Sequence, residues 1–476
     1  MRHGLDLSAF RQGNHSPSFA SLTRSMGSSA DLVDFCIPCN PYFPTPEMFA
    51  ELGRNLESML KYYPSDAGAI TGQLAGLLRV PPQTIAMANG STELITWIDH
   101  LLIHESMATP VPTFGRWTDQ SLETGKRVDM FPLREGDGFV LDVDEYVRFI
   151  RERGSRVAVL CNPNNPDGSY LPRREVIRFM DALSDLDLVV IDESFMDFVD
   201  EEINPSVATD AMVRSNVIVL RSLGKNFGLH GIRFGYMVAN PSLTKKIASR
   251  LPKWNINSLA EAVVFMLKDH EEAYRESLRL AARDRYNMAA DLARVPGLTV
   301  FPSQANFILV KLPRAAADGA RLRDYLLARH GVLVRECGNK LGITSQFVRL
   351  VVRPRKDVDR LLEGLMAYLA PQREEPMRGM PAYDEIPRQV PSYDEPLRGM
   401  PSYDEPMRAR LDDPLRSRLD EPRPSPLDDP ALDREAAKER EAVRASMDNP
   451  NHDDTGSHRD LVVPFMSRSA DRARAR

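Results

Sequence analysis

Two rhythms of apolar residues alternate along most of this chain. Short aliphatic, β-branched runs, Val157-Ala-Val-Leu-Cys161, Leu186-Asp-Leu-Val-Val-Ile-Asp192 and Val217-Ile-Val-Leu220, have no polar alternation and read as strands buried on both faces. Between them stand stretches with helical spacing. One begins at Pro46, with proline in its first turn, and another runs through Gln73-Leu-Ala-Gly-Leu-Leu. The alternation predicts an α/β protein whose large domain, residues 46–250, is built on a mostly parallel central sheet. After Arg233 the pattern turns helical to about Leu292. Strands over Leu298–Leu312, Val332–Arg335 and Phe347–Arg353, with helices over Asp318–His330 and Asp357–Leu369, predict a smaller α+β domain over 251–370. Residues 1–45 read as an arm. From 371 to 476 the pattern lapses into proline-rich units, Met380-Pro-Ala-Tyr-Asp-Glu, Val390-Pro-Ser-Tyr-Asp-Glu and Met400-Pro-Ser-Tyr-Asp-Glu, at a period of ten. So few apolar residues cannot offset the entropy of ordering, and a disordered tail is expected. Both a multivalent docking tail and a passive extension suit that composition.

The chemistry sits where the strands end. Val217–Leu220 empties at Ser222 into a glycine-spaced loop holding Lys225 and, eight residues on, Arg233. In open α/β sheets ligands collect just beyond the carboxyl ends of strands. A hydroxyl, a turn and a guanidinium there suit a phosphate, and a lysine suits a Schiff base with an aldehyde, which together describe pyridoxal phosphate (PLP). Upstream, Ile85-Ala-Met-Ala turns through Asn89-Gly90 into a helix starting Ser91-Thr92-Glu93, whose free N–H groups form an anion cradle. Val111-Pro-Thr-Phe114 offers an aromatic ring at a loop. Asn162-Pro-Asn-Asn165-Pro-Asp-Gly168 fixes an amide at the end of its strand, and Asp192 closes another strand with a carboxylate that needs a cation. Asn165, Asp192 and Lys225 stand 27 and 33 residues apart, about one βα unit per step. Arg349, inside the apolar run Phe347–Arg353, needs an anion as well; a substrate carboxylate or an internal acid would serve.

Composition narrows the partners. With 476 residues, 42% hydrophobic, the chain can bury a large core, and a net charge of −6 asks for neither nucleic acid nor an anionic membrane. No run of eighteen apolar residues and no signal-like amino terminus occur, so a cytoplasmic protein is expected. Of the four cysteines, Cys36-Ile-Pro-Cys39 has redox-motif spacing without the βαβ context of one, and reads as a pair of semi-buried thiols. No His, Cys and carboxylate cluster has metal-ligand spacing, so no metal is implied.

Tyr63-Pro64, Asn89-Gly-Ser-Thr-Glu93, Pro112-Thr-Phe114, Asn162–Gly168, Asp192-Glu-Ser-Phe195, Ser222-x-x-Lys225, Gly231-x-Arg233-x-Gly-Tyr236, Ala305-Asn306-Phe and Val348-Arg349-Leu together resemble the fold-type I PLP enzymes. The likeness is to class I/II aminotransferases, in the branch of histidinol-phosphate aminotransferase and threonine-phosphate decarboxylase, and covers about residues 34–370. It implies that Lys225 carries PLP as a Schiff base, that Asp192 keeps the ring nitrogen protonated, that Asn165 bonds the phenolic oxygen and that Phe114 stacks on the ring. It implies further that Ser91, Thr92, Ser222 and Arg233 hold the phosphate, that Tyr63 reaches it from the second subunit of a homodimer, and that Arg349 grips the substrate α-carboxylate. Asn40, Arg335 and Tyr42 are candidates for lining the side-chain pocket.

Two positions depart from the branch. Phe195 stands where its aminotransferases usually carry tyrosine, and Asp167 replaces a threonine. The sequence alone favours an aminotransferase moving the amino group of an α-amino acid to a keto acid. A decarboxylase of a phosphorylated amino acid is the alternative. A non-catalytic scaffold acting through the tail is the reading from another class, and the full complement of catalytic groups argues against it.

Overall fold

The structure is a computed structural model that describes residues 32–314 and 318–370. The expected arm before Leu32 and the expected tail from 371 lie outside the described residues.

Strand β1 (Val33–Asp34) opens the described chain. The central sheet comprises β2 (Ile85–Ala88), β3 (Ser106–Val111), β4 (Arg127–Pro132), β5 (Val157–Cys161), β6 (Leu188–Asp192), β7 (Val217–Ser222) and β8 (Gly235–Val238). Their order is β2-β8-β7-β6-β5-β3-β4. Every neighbouring pair is parallel except those made by β8, which runs antiparallel to β2 and to β7. A mostly parallel sheet was the expectation. Alternate residues of one strand feed two different cores: Ala158, Leu160, Val189, Ile191 and Val219 pack on one face, and Val157, Val159, Val190, Ile218 and Leu220 on the other. Burial on both faces is why these runs lack polar alternation.

Strand register brings the chemistry together. Cys161 lies opposite Asp192, Asp192 opposite Leu220, and Ser222 opposite Gly235, which also pairs with Ala88. The carboxyl ends of β2, β5, β6 and β7 therefore meet the start of β8 at one edge, with neighbouring strands about 4.8 Å apart.

The remaining strands are β9 (Thr299–Val300), β10 (Phe307–Lys311), β11 (Val332–Leu333), β12 (Arg335–Glu336) and β13 (Phe347–Val351). An antiparallel sheet runs β12-β13-β10-β9, and β11 pairs with β1. The single strand expected over Val332–Arg335 is thus two, because its halves join different partners. The helix expected over Asp318–His330 is α-helical at Gly319–Tyr325 and widens to π-helix at Leu326–His330, ending on Gly331 at φ +62°. Among the described residues, no helix is long and apolar enough to cross a membrane.

Candidate active site

The edge where β2, β7 and β8 meet forms a tight cradle. Gly90 precedes the helix Ser91–Leu102 at φ +88°, and a Cβ there would lie 2.6 Å from Arg233 Nη2. A Cβ on Gly235 would lie 2.4 Å from Ser91 N. Both glycines are therefore needed to bring the helix N-terminus, the Arg233 guanidinium and the end of β7 to one place. Ser91 and Ser222 are buried there and Thr92 half-buried, while Arg233, in the left-handed region at φ +52°, is exposed with one donor on His230 O. Uncapped N–H groups, hydroxyls and a guanidinium make a phosphate site.

Lys225 stands beside it. The glycine-spaced loop expected after Ser222 is a single helical turn, Leu223–Asn226, because Leu223 and Phe227 anchor both its ends in the core. Lys225 Nζ lies 4.5 Å from the Phe195 ring centroid and 5.5 Å from that of Phe114, and makes no hydrogen bond or ion pair among the described residues. Burial lowers its pKa to about 8 against the attraction of Asp192 and Cys161, and Arg349 and Arg233 lower it further. The same electrostatics place Arg349, from the smaller sheet, in this cavity.

Asp192 is buried and accepts from Trp117 Nε1 at 2.9 Å and from Ser194 N at 3.1 Å. Trp117 was an unassigned aromatic residue in the sequence. Its helix, Arg116–Glu123, begins two residues after Phe114, so one short segment supplies both a ring for the cavity and a donor for its carboxylate. Asn165 is buried, and its Oδ1 accepts from Arg349 Nη1 at 2.7 Å; Arg349 Nη2 donates to Cys36 O at 2.8 Å. Arg349 Nε is buried with no partner among the described residues, and Phe307 lies under the guanidinium at 5.0 Å.

Asp167 has a structural account. It accepts from Asn164 Nδ2 and, at 2.8 Å, from Ser169 N; Asn164 in turn donates to Pro112 O and accepts from Thr113 Oγ1 at 2.9 Å each. The acid thereby locks the Phe114 loop to the Asn165 loop, and burial raises its pKa.

Three expected residues stand in a different relation to the cavity. The amide of Asn40 is committed: Nδ2 donates to Asn226 O at 3.0 Å and Ser277 Oγ at 2.8 Å, and Oδ1 accepts from Tyr42 N at 3.0 Å. Its own N–H reaches Lys225 O at 3.2 Å, so Asn40 braces the lysine turn. The Tyr42 hydroxyl is bound to Asp284. Tyr63 is 81% exposed and stacks on Trp254, with ring centroids 4.9 Å apart.

Lys340 was not singled out in the sequence. It donates to Thr113 O at 2.9 Å, burial lowers its pKa to about 8, and Arg349 and Arg335 lower it further. Nothing local marks it, since it comes to the cavity on a loop from the far end of the chain. His230 is likewise drawn in: burial, then the Lys225 charge, lowers its pKa to about 4, and its Nε2 lies 3.3 Å from Pro38 O. The ring is therefore neutral at physiological pH.

These groups fit a phosphorylated pyridine aldehyde: a cradle that only glycines permit, a free amine between two rings, and a buried acid. A profile described as "Aminotransferase class I and II" matches residues 31–365, and the chain belongs to that family of fold-type I, PLP-dependent enzymes. It is 29% identical over 371 residues to an L-serine phosphate decarboxylase of Sulfurospirillum multivorans, covering 75% of this chain and 93% of that one. Against a histidinol-phosphate aminotransferase of a Thermoanaerobacter species it is 31% identical over 339 residues, covering 69% and 90%. The solved structure of a decarboxylase from S. multivorans superposes with a TM-score of 0.68 at 28% identity, covering 75% and 93%.

Proposed function

We propose that this enzyme decarboxylates an α-amino acid whose side chain ends in a phosphate. The observation that carries the reading is the cation pair Arg349 and Lys340: Arg349 is buried and Lys340 half-buried, they repel each other, and neither makes an ion pair among the described residues. Cations so withdrawn call for anions, and two of them suit a substrate with an α-carboxylate and a second anionic end. Arg335, opposite Arg349 in the register of β12 and β13, adds a third positive charge.

The residues take these roles. Ser91, Thr92, Ser222 and Arg233 hold the PLP phosphate, with Tyr63 reaching it from a second subunit. Phe114 covers the ring, Asn165 holds the phenolic oxygen, and Lys225 is the attachment point. Asp192, oriented by its hydrogen bonds from Trp117 and Ser194, holds a proton on the ring nitrogen. Bound PLP supplies an electron sink for the carbanion left at the substrate Cα. Arg349 fixes the carboxylate, and so which Cα bond faces the sink, while Lys340 and Arg335 take the side-chain phosphate. Lys225, with its low pKa, gives or takes the proton at Cα near neutral pH. Asn40 is a positioning residue. Phe195 replaces a hydrogen-bond donor with an apolar wall, its ring centroid 4.5 Å from Lys225 Nζ. The likeness to a serine phosphate decarboxylase, over 75% of this chain and 93% of that one, supports the decarboxylase reading.

Transamination to a keto acid is the second reading, supported by the 31% identity to a histidinol-phosphate aminotransferase. Purified protein incubated with O-phosphoserine and O-phosphothreonine separates the two. Carbon dioxide release with the aldehyde cofactor intact is expected. Accumulation of the pyridoxamine form without carbon dioxide would make the enzyme an aminotransferase instead.

Phe49, Leu56 and Leu60 expose one apolar stripe along the helix Pro46–Lys61, continued by Tyr62 and Tyr63. A stripe of that kind supports a homodimer. Residues 46–250 form the cofactor domain in this reading and 251–370 the smaller one, and the enzyme works in the cytoplasm, where its four free thiols are stable.

A further inference from the structure

Each of three site residues has a chain neighbour in one buried ionic cluster that the chemistry above does not use. Glu193 follows Asp192, Arg221 precedes Ser222, and Asn226 follows Lys225; all three are buried. Arg221 Nη1 donates to Glu193 Oε2 at 2.9 Å, and Nη2 is bound to Asp197. Asp197 Oδ2 also accepts from Asn226 Nδ2 at 2.7 Å and from the Tyr274 hydroxyl at 2.6 Å. Glu193 accepts from Ser206 Oγ at 2.5 Å and Val207 N at 2.7 Å. Successive residues of a strand point to opposite faces, so Arg221 stands behind Ser222, on the side away from the phosphate cradle. Asn40 ties the same assembly in from a third direction, through Asn226 O and Ser277 Oγ.

We infer that the Glu193–Arg221–Asp197 cluster is a positioning device that fixes the lysine turn against the carboxylate strand. The inference rests on the reading of Lys225 as the cofactor lysine. A cluster of one cation and two acids is a poor source of net stability, because desolvation offsets most of its attraction. Its geometry is nonetheless rigid. It joins the end of β6, the end of β7 and the turn after β7 through charge-assisted bonds, at the three places where an ångström of drift would separate Lys225 from Asp192.

The test uses full-length holoenzyme with Asp197→Asn, Tyr274→Phe, Arg221→Met and Arg221→Lys. Turnover is counted per site trapped by borohydride, so that unfolded or cofactor-free protein does not enter. Asp197→Asn should lower kcat about tenfold per trapped site with KM within about twofold, and should shift the pH profile of trapping at Lys225. Tyr274→Phe, which removes a single hydroxyl, should give a smaller loss in the same direction, and Arg221→Lys should recover part of what Arg221→Met loses. Wild-type kcat and pH profile per trapped site in Asp197→Asn and Tyr274→Phe would overturn the inference while leaving Lys225 as the cofactor lysine. Failure to trap Lys225 in the unsubstituted enzyme would instead overturn the reading beneath it.

Discussion

Replacing Lys225 by methionine removes the proposed attachment point of the cofactor, yet it should stabilise the cofactor-free protein at neutral pH. An ordinary lysine has a pKa of 10.5, and burial brings this one to about 8. A fall of about 2.5 units corresponds to roughly 3 kcal/mol of disfavoured charge in the folded state. The sign follows from proton counting. Below about pH 8 both states are protonated and the folded state bears the whole penalty; between about 8 and 10.5 the unfolded chain holds the proton more tightly, so stability rises with pH. Methionine keeps the length of the side chain across Phe114 and Phe195 and gives up two cation–π contacts worth about 0.5 kcal/mol each, leaving a gain of about 2 kcal/mol. Spread over roughly 340 residues at about 2.1 cal/mol/K each, that is a melting point about 3 °C higher. Thermal unfolding of the cofactor-free wild type and variant, at pH near 7 and near 10, measures it. The expected gain is about 3 °C at the lower pH and about 1 °C at the higher. A variant no more stable than wild type at neutral pH would mean that the ammonium is well solvated or paired, and the electrostatic account of the site would fail.

Lys340→Met should raise KM for a phosphorylated amino acid about 10- to 100-fold, the range for one charge-assisted hydrogen bond, and leave its unphosphorylated counterpart unchanged in a steady-state comparison. Phe195→Tyr restores a donor toward the ring oxygen and should lower, by about one unit, the pH at which the absorbance of the bound cofactor changes form. An unmoved transition in a spectrophotometric titration would remove Phe195 from the account of the site. Leu60→Asp places a charge in the exposed apolar stripe and, if the proposed homodimer forms there, should yield monomers by sedimentation velocity with loss of activity.

Much of this site was legible because its parts are local. Asp192 and Ser222 end strands and Asn165 follows the end of a third by four residues, and strand register converts those sequence positions into spatial neighbourhood. The turn carrying Lys225 was harder to read: Gly224 and Gly228 suggested a loop, whereas burial of Leu223 and Phe227 closes a helical turn. What no local pattern could give is the set of contacts between distant segments. Trp117 meets Asp192 across 75 residues, Lys340 meets Thr113 across 227, and Asn40 spends its amide on Asn226 and Ser277. Each is an ordinary polar residue in its own window, and only tertiary packing decides its partner.

Among the described residues, the cations that converge on the cavity outnumber the acids that act on them there, Asp192 at Lys225 and Asp34 at Arg349. Lys225 feels the charges of Arg349 and Arg233, and Lys340 those of Arg349 and Arg335, while the Asp192 carboxylate opposes them at Lys225. Ligands must therefore bring the missing anions, and each that arrives should drive a withdrawn cation back to its charged form. Lys340, at about 8 without substrate, is half protonated near pH 8; a phosphate bound against it should return it toward 10.5. Binding a phosphorylated substrate should then take up about half a proton per site near pH 8 and about a tenth near pH 7. Calorimetric titration of the cofactor-free protein, which cannot turn the substrate over, in buffers of differing ionisation enthalpy reads that number. Subtracting the result for Lys340→Met removes the contributions of the substrate amine and phosphate. A difference of zero near pH 8 would mean that the second anion binds elsewhere, and the phosphate end of the substrate would have to be sought away from the Thr113 carbonyl.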